Sequence, residues 1–245
     1  MVSETNMKIS LILLRCDFNK ELYLLTKAAC ETLKADECIL IDNGSSVGEI
    51  NWGDKQIKNR TNLGYPAAIN QGFAKATGDA VAVANNDIRV SPNWLYVAKE
   101  ILMDNPQVGS VHFKMIPYDE PFNLSYDTWI GGKERWCHAS FYVIRKQAIP
   151  TGGYFEEYKE GGYDDYDFFH RMRDVNGWIQ AYTNRAAFQH KDSSTYEALD
   201  RKHNNRQARV FRNRELYRKR FGEYPDIQFI VKFPEQMSIS WKPFP

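Results

Sequence analysis

Four short clusters in this chain combine residue types that do chemistry with positions where a fold can present them. Asp42 and Asn43 follow the apolar run Cys38-Ile39-Leu40-Ile41. A carboxylate at the carboxyl end of a buried strand can accept hydrogen bonds from the base or ribose of a nucleotide; Asp-Asn-Gly is equally good turn chemistry. Asn85, Asn86 and Asp87 close the run Ala80-Val81-Ala82-Val83-Ala84. A carboxylate there can hold a hard divalent cation, which can bridge phosphates and neutralise a leaving group, although Asn and Asp also suit a plain strand-end turn. The stretch Gly161-Gly162-Tyr163-Asp164-Asp165-Tyr166-Asp167 crowds three carboxylates at a glycine-hinged loop and helix start. One acid is enough to cap a helix, and the surplus suits a group that takes the proton from an attacking hydroxyl. His190 stands alone before Lys191 and Asp192; a lone histidine is more often a surface residue than a ligand, yet imidazole is a common metal donor.

These clusters need a scaffold that brings strand ends together. Lys8 to Leu14 reads as a strand, and Leu22, Leu25, Ala29 and Leu33 recur at helical spacing over Lys20 to Leu33. With the apolar run that ends at Asp42, this makes a βαβ unit, which implies parallel strands whose carboxyl ends share one edge. A third strand is expected near Lys55 to Lys58, a helix over Ala67 to Ala76, a buried strand over 80–84, and a helix from Asn93 to Met103 with Pro92 in its first turn. Beyond these, strands are expected between Val108 and Arg145 around a long loop from Pro117 to Gly132. A helix over Asp164 to Val175, a strand over Ile179 to Phe188 leading to His190, and a basic helix from Tyr196 to Phe221 complete the reading. The pattern is α/β throughout.

The 245 residues are 43% apolar and 26% charged, the balance of an ordinary globular chain. Lys plus Arg (32) nearly cancels Asp plus Glu (31), so no global field recruits nucleic acid or an anionic membrane. The polar start and the short apolar run from Ile9 to Leu14 contain neither a leader nor a membrane span, and a cytoplasmic location is expected. Cys16, Cys30, Cys38 and Cys137 form no metal-type spacing and read as free thiols.

The order of these clusters resembles the inverting GT-A glycosyltransferases of family 2, in particular the bacterial and phage branch related to rhamnosyl- and galactofuranosyl-transferases. The resemblance rests on Ile39 to Ser45, on Arg60-Thr61-Asn62-Leu63-Gly64-Tyr65 with Ala68 and Asn70-Gln71-Gly72, and on Gly78-Asp79 before Asn85-Asn86-Asp87. Gly152-Gly153-Tyr154, the Asp164 to Asp167 block with Arg171, and His190 extend it. It implies a Rossmann-like α/β fold with a mostly parallel central sheet and a helical C-terminal tail. The catalytic domain would span 1–195, with a donor half over about 1–90 and an acceptor half over about 91–195. Residues 196–245 would be a basic helical extension packed on it. The donor would be a nucleotide-diphosphate sugar of UDP or dTDP type, contacted by Asp42, Asn43, Arg60, Asn62, Gly64, Asn70, Asn85 and Asn86. The resemblance further implies Asp87 and His190 as ligands of Mn2+ or Mg2+, and Asp165 as the general base with Asp164 and Asp167 supporting it. Where the family often has Gly-Gly-Phe-Asp-Glu, this chain has Gly152-Gly153-Tyr154-Phe155-Glu156, and Trp136-Cys137-His138-Ala139 replaces a common small residue. Both departures lie on the acceptor side.

Two other classes compete. A sugar nucleotidyltransferase would bring a Gly-rich basic phosphate loop near its N-terminus, and Leu13-Leu14-Arg15-Cys16-Asp17 is not one. A catalytically weak, glycosyltransferase-like module that binds sugar or nucleic acid draws support from the basic stretch 191–220. There Arg209, Arg212 and Arg214 interleave with Tyr196, Phe211, Tyr217 and Phe221. Such a mixture can hold a phosphate-bearing acceptor, whether a glycan, a lipid-linked sugar or a modified nucleic acid, or it can be a solvated helix face. Trp129, Trp136 and His138 are the alternative acceptor contacts.

Overall fold

The computed structural model describes residues 7–131, 139–159, 162–191 and 206–222. Its centre is a nine-stranded sheet. Strand β1 (Ile9–Arg15) lies between β2 (Glu37–Asn43) and β4 (Ala80–Asn85), and β3 (Lys55–Asn59) flanks β2, all four parallel. From β4 outwards the sheet becomes mixed. β8 (Phe141–Arg145) runs antiparallel to β4 and to β6 (Val108–Pro117), β6 pairs in parallel with β9 (Ile179–His190), and β5 (Ile88–Val90) and β7 (Thr128–Ile130) pair antiparallel with β9. The expected parallel sheet is thus the first half of the observed one.

The period-two alternation of β1 divides its side chains between two cores. Ile9, Leu11 and Leu13 join Ala80, Ala82 and Ala84 of β4 under α1 (Lys20–Thr32) and α3 (Trp94–Asp104). Ile12 and Leu14 join Val81 and Val83 under α2 (Tyr65–Lys75) and α4 (Asp164–His170). Helices on both faces and the order β3-β2-β1-β4 put a topological switch point between β1 and β4, where sheets of this kind open a crevice at the strands' carboxyl ends.

Several boundaries differ from the sequence reading. α2 starts two residues early, at Tyr65, because Gly64 serves as its N-cap and Pro66 fits its first turn. Pro92 lies ahead of α3, whose N-cap is Asn93. The helix expected over 164–175 is α-helical only to His170 and continues as a π turn over Arg171–Val175. A last helix, α5 (Arg206–Phe221), falls within the expected basic helix. Trp136, Cys137, His138, Gly161, Tyr196 and the segment 223–245 lie outside the described residues. No helix among the described residues is long and apolar enough to cross a membrane.

Candidate functional site

At the switch point the ends of β1 and β4 are joined by a buried polar network. Asp17, fully buried just past β1, accepts hydrogen bonds at Oδ1 from Thr26 Oγ1 (2.8 Å) and Asn86 Nδ2 (2.9 Å), and its Oδ2 lies 3.0 Å from Arg15 Nε. Burial holds the Asp17 carboxyl above its ordinary range despite that cation. The buried Arg15 also donates to Ser45 Oγ and to the carbonyls of Val47 and Gly48, so it pins the loop that follows β2. Burial, with the Asp17 and Asp42 charges, pushes the Cys16 thiol up to about 12, which leaves it an unreactive packing group. Cys16, Cys30 and Cys38 are free thiols, as expected.

Asp42 and Asn43 are the last two residues of β2 rather than its sequel. Asp42 Oδ1 accepts from Ser45 N at 2.9 Å, closing the turn, while Oδ2 lies 3.9 Å from Arg15 Nη1 and the side chain remains 16% exposed. Asn43 is buried, and all of its amide is used within the protein. Nδ2 donates to Asn62 Oδ1 (2.9 Å) and Gly64 O (3.3 Å), and Oδ1 accepts from Asn59 Nδ2 (3.0 Å) and Leu63 N (3.1 Å). Four hydrogen bonds fill the two donor and two acceptor positions of a carboxamide. Asn43 therefore has no capacity left for a donor nucleotide, and it locks the loop 59–64 instead. Asn62 Oδ1 accepts from Gly64 N (2.8 Å) as well as from Asn43, and Asn62 and Arg60 are exposed. Gly64 (φ +88°) must be glycine, since a Cβ there would run into the carbonyl of Lys159.

Asn70 is likewise a clamp. Its Nδ2 donates to Tyr154 O (2.9 Å) and Glu156 Oε1 (3.0 Å), and its Oδ1 accepts from Tyr154 N (2.8 Å), so it ties α2 to Gly153 and Tyr154. Asn86 is buried on Asp17 and Thr26 Oγ1. Asn85 is half-buried at the end of β4.

Asp87 and His190 meet. β5 pairs with β9 in the register Ile88↔His190, which sets Asp87 Oδ1 3.3 Å from His190 Nε2, both side chains nearly buried. Asp87 Oδ1 accepts no hydrogen bond among the described residues, and a buried carboxylate oxygen beside an imidazole nitrogen fits a divalent cation of the Mn2+ or Mg2+ type. No cluster of three or more His, Cys, Asp or Glu with metal-site geometry occurs among the described residues. Any further ligands would have to come from elsewhere.

The three acids of α4 separate into distinct environments. Asp167 is fully buried: Oδ1 accepts from Arg171 Nε (2.6 Å), and Oδ2 from Arg220 Nε (2.5 Å) and Tyr158 OH (3.2 Å). It is an anchor with no oxygen left for a substrate. Asp164 is 5% exposed, and burial pushes its carboxyl up to about 6. Burial and the adjacent Asp164 charge hold Asp165 well above the ordinary carboxylate range, while its side chain keeps part of its surface in solvent. The same two charges reach the buried hydroxyls of Tyr65 and Tyr142, which burial first of all pushes up. Tyr65 directly follows the Asn43-locked loop and donates to Ala139 O at 3.0 Å. The rings of Phe73 on α2 and Phe168 on α4 each stack on Tyr154, which packs the two helices together.

Of the residues singled out from sequence, the fold brings Asp42, Asn62 and Gly64 to one side of the crevice, Asn85 and Asp87 with His190 to the end of β4 and β9, and Asp164 and Asp165 to the start of α4. Arg15 and Asp17 are the residues that sequence reasoning passed over. Their position at the end of the first strand, beside the strand that ends in Asn85, was the available clue.

The glycosyl transferase family 2 profile matches residues 18–173. Among curated proteins none matches the chain. Solved structures with a similar fold include S. aureus TarS 1–349, with a TM-score of 0.60 and 15% identity over 80% of this chain and 64% of that one. They also include GalNAc-T7 with UDP, GalNAc and Mn2+, with a TM-score of 0.61 and 10% identity over 76% of this chain and 44% of that one. TarS 1–349 in complex with UDP-GlcNAc has a TM-score of 0.54 and 14% identity, covering 76% of this chain and 59% of that one. The chain spans less than two-thirds of each of these proteins, and at such identities the likeness is one of fold.

Proposed function

Because the chain belongs to glycosyl transferase family 2, we propose that it transfers a sugar from a nucleoside diphosphate donor of UDP or dTDP type to an acceptor hydroxyl, with inversion at the anomeric carbon. The observation that carries this reading is the Asp87–His190 pair where β9 ends, an oxygen and an imidazole nitrogen 3.3 Å apart. It is supported by Asp165 at the start of α4, a partly buried residue whose carboxyl is held above the ordinary range.

Asp165 takes the acceptor's proton as the acceptor oxygen forms its bond to the anomeric carbon and the bond from that carbon to the diphosphate breaks. Burial raises both carboxyls and the adjacent Asp164 charge raises Asp165 further, so Asp165, once ionised, is a more basic carboxylate than an exposed Asp. Asp167 is held by two arginines and Asp164 is buried, leaving Asp165 the least buried acid of the cluster, with one oxygen accepting from Tyr166 N at 2.9 Å. A retaining reaction by covalent intermediate needs a second such acid, so this supports inversion, by analogy with the logic of glycoside hydrolysis.

Asp87 and His190 would hold the divalent cation, which supplies neutralising charge for the departing diphosphate. Asp42, at the open end of β2, would accept from the base, and the exposed Arg60 and Asn62 would lie along the donor. Asn43 fixes the loop that carries them. The known complexes of similarly folded proteins with UDP-GlcNAc and with UDP, GalNAc and Mn2+ support this class of donor.

The test is a panel of nucleotide sugars with and without Mn2+, scored by donor hydrolysis and by thermal shift, since a ligand that binds only the folded chain raises its apparent stability. Turnover or stabilisation by at least one UDP- or dTDP-sugar is expected. A chain that neither turns over nor is stabilised by any member overturns the reading.

A further inference from the structure

The basic helix α5 was a candidate acceptor grip, yet its inward face is seated on the elements that carry the paired acids. Asn213, fully buried, donates from Nδ2 to the carbonyls of Tyr158 (3.1 Å) and Gly162 (2.9 Å), and its Oδ1 accepts from Arg212 Nε (3.1 Å). One carboxamide therefore holds two carbonyls that shortly precede Asp164 in the chain. Around it, Tyr217 OH meets His170 Nδ1 at 2.7 Å, Phe221 stacks on His170 at 4.2 Å, and Arg220 joins Asp167 while lying 3.5 Å over the Phe155 ring.

Two residues beside these carbonyls have backbones that do not hold themselves. Lys159 (φ +47°) and Tyr163 (φ +70°) both have positive φ without being glycine. Such conformations cost about 1–3 kcal/mol each and persist only where the surroundings dictate them. Tyr163 is the N-cap of α4, so its conformation sets where Asp164 and Asp165 begin. Lys159 also touches the donor side, because its carbonyl packs against Gly64 so closely that no Cβ fits between them. A shift of Lys159 and Tyr163 would alter the distance between the base and the loop that Asn43 locks.

We propose that α5 is a positioning brace for the base, with Asn213 the residue that holds the Tyr158 and Gly162 carbonyls and so fixes where α4 presents Asp165. The proposal rests on the glycosyltransferase reading for its kinetic consequence and on the hydrogen bonds alone for its structural one.

The variant Asn213→Asp keeps the side chain's shape but replaces the NH2 group, with both its N–H donors, by one oxygen that faces two carbonyl oxygens. In the full chain, kcat should fall roughly tenfold to a hundredfold, the usual size for a small misplacement of a catalytic group, with the donor KM within about twofold of wild type. The acid limb of the kcat–pH profile should move, since the spacing of Asp165 from Asp164 sets it. Amide hydrogen exchange at 163–166 should quicken while β1 and β4 stay protected. If Asn213→Asp does not fold, Tyr217→Phe, which removes only the hydroxyl on His170, should show a smaller loss of kcat with unaltered donor KM. A folded variant with unchanged kcat, pH profile and exchange overturns the brace, and so does a loss of kcat and donor affinity in equal proportion. Should the wild-type chain turn over no nucleotide sugar, the transferase reading falls. The brace is then judged by exchange alone, and unchanged protection at 163–166 in Asn213→Asp overturns it.

Discussion

Asn43→Ala separates a residue that touches the donor from one that holds the loop touching it. The side chain is buried and makes four hydrogen bonds, to Asn62, Gly64, Asn59 and Leu63. Each is worth ~0.5–1.5 kcal/mol net, and the partners on the exposed part of the loop recover some of that from water. A loss of about 3 kcal/mol follows, which for a chain of this size lowers Tm by roughly 6–12 °C. The loop 59–64 would then be held mainly by its glycine turn, so donor affinity should weaken by about tenfold with a smaller effect on kcat. Asn43→Asp is the sharper control: it keeps Asn59 and Leu63 as donors but sets an oxygen against Gly64 O and Asn62 Oδ1. Asn62 can flip to donate to it only by giving up its bond from Gly64 N. The assays are thermal unfolding and calorimetric titration with UDP. A variant with unchanged Tm and collapsed UDP affinity would show that Asn43 contacts the nucleotide directly, and one unchanged in both would show that the loop needs no clamp.

Asp165→Asn should lower kcat by roughly a hundredfold or more while UDP binding persists; a dead Asp164→Asn beside an active Asp165→Asn would exchange their roles. The raised carboxyls of Asp164 and Asp165 also have a stability signature. A folded-state pKa above the unfolded value means the native chain binds more protons at these groups, so their contribution to stability is fully present below about pH 4 and is lost as pH rises through about 6 and beyond. Thermal melts of Asp164→Asn should accordingly match wild type at pH 4 and exceed it above pH 6, and a gain that is the same at both would refute the cause assigned here. Activity should have the opposite slope, rising with pH over that range as the pair loses its proton. Asp87→Ala and His190→Ala should each weaken Mn2+-dependent donor binding, and full turnover in excess chelator would remove the metal role from both.

The parts of the fold legible in the sequence were those where one local pattern suffices. The first βαβ unit, the buried strand at 80–85 and the amphipathic helices follow from periodicity, and their edges were placed within a few residues. The short β5 was missed because three residues carry no periodicity, and β9 recruits it through a pairing partner a hundred positions away in sequence. The change from parallel to antiparallel at β8 was equally hidden, since the direction of a strand is set by its connections and the loops on either side of β8 have no distinguishing composition.

Within the site, residue type predicted location better than role. Asn43, Asn85 and Asn86 do lie at strand ends, while Asn62 is in the loop before α2 and Asn70 is midway along that helix, yet Asn43 and Asn70 and both N–H groups of Asn86 are taken by protein partners. The reason is physical: a carboxamide both donates and accepts, so at the end of a strand it can close a neighbouring loop as readily as it can meet a ligand. Carboxylates cannot donate, and their fate depends on which cations or N–H groups the fold supplies. Asp167 finds Arg171 and Arg220 and becomes an anchor, whereas Asp165, two residues earlier on α4, meets no arginine among the described residues, and burial and the Asp164 charge raise its carboxyl. Arg220 lies 53 positions from Asp167, so no local reading of Asp-Asp-Tyr-Asp could have told the anchor from the base. The docking of α5 makes that distinction, and the assignment of Asp165 stands or falls with it.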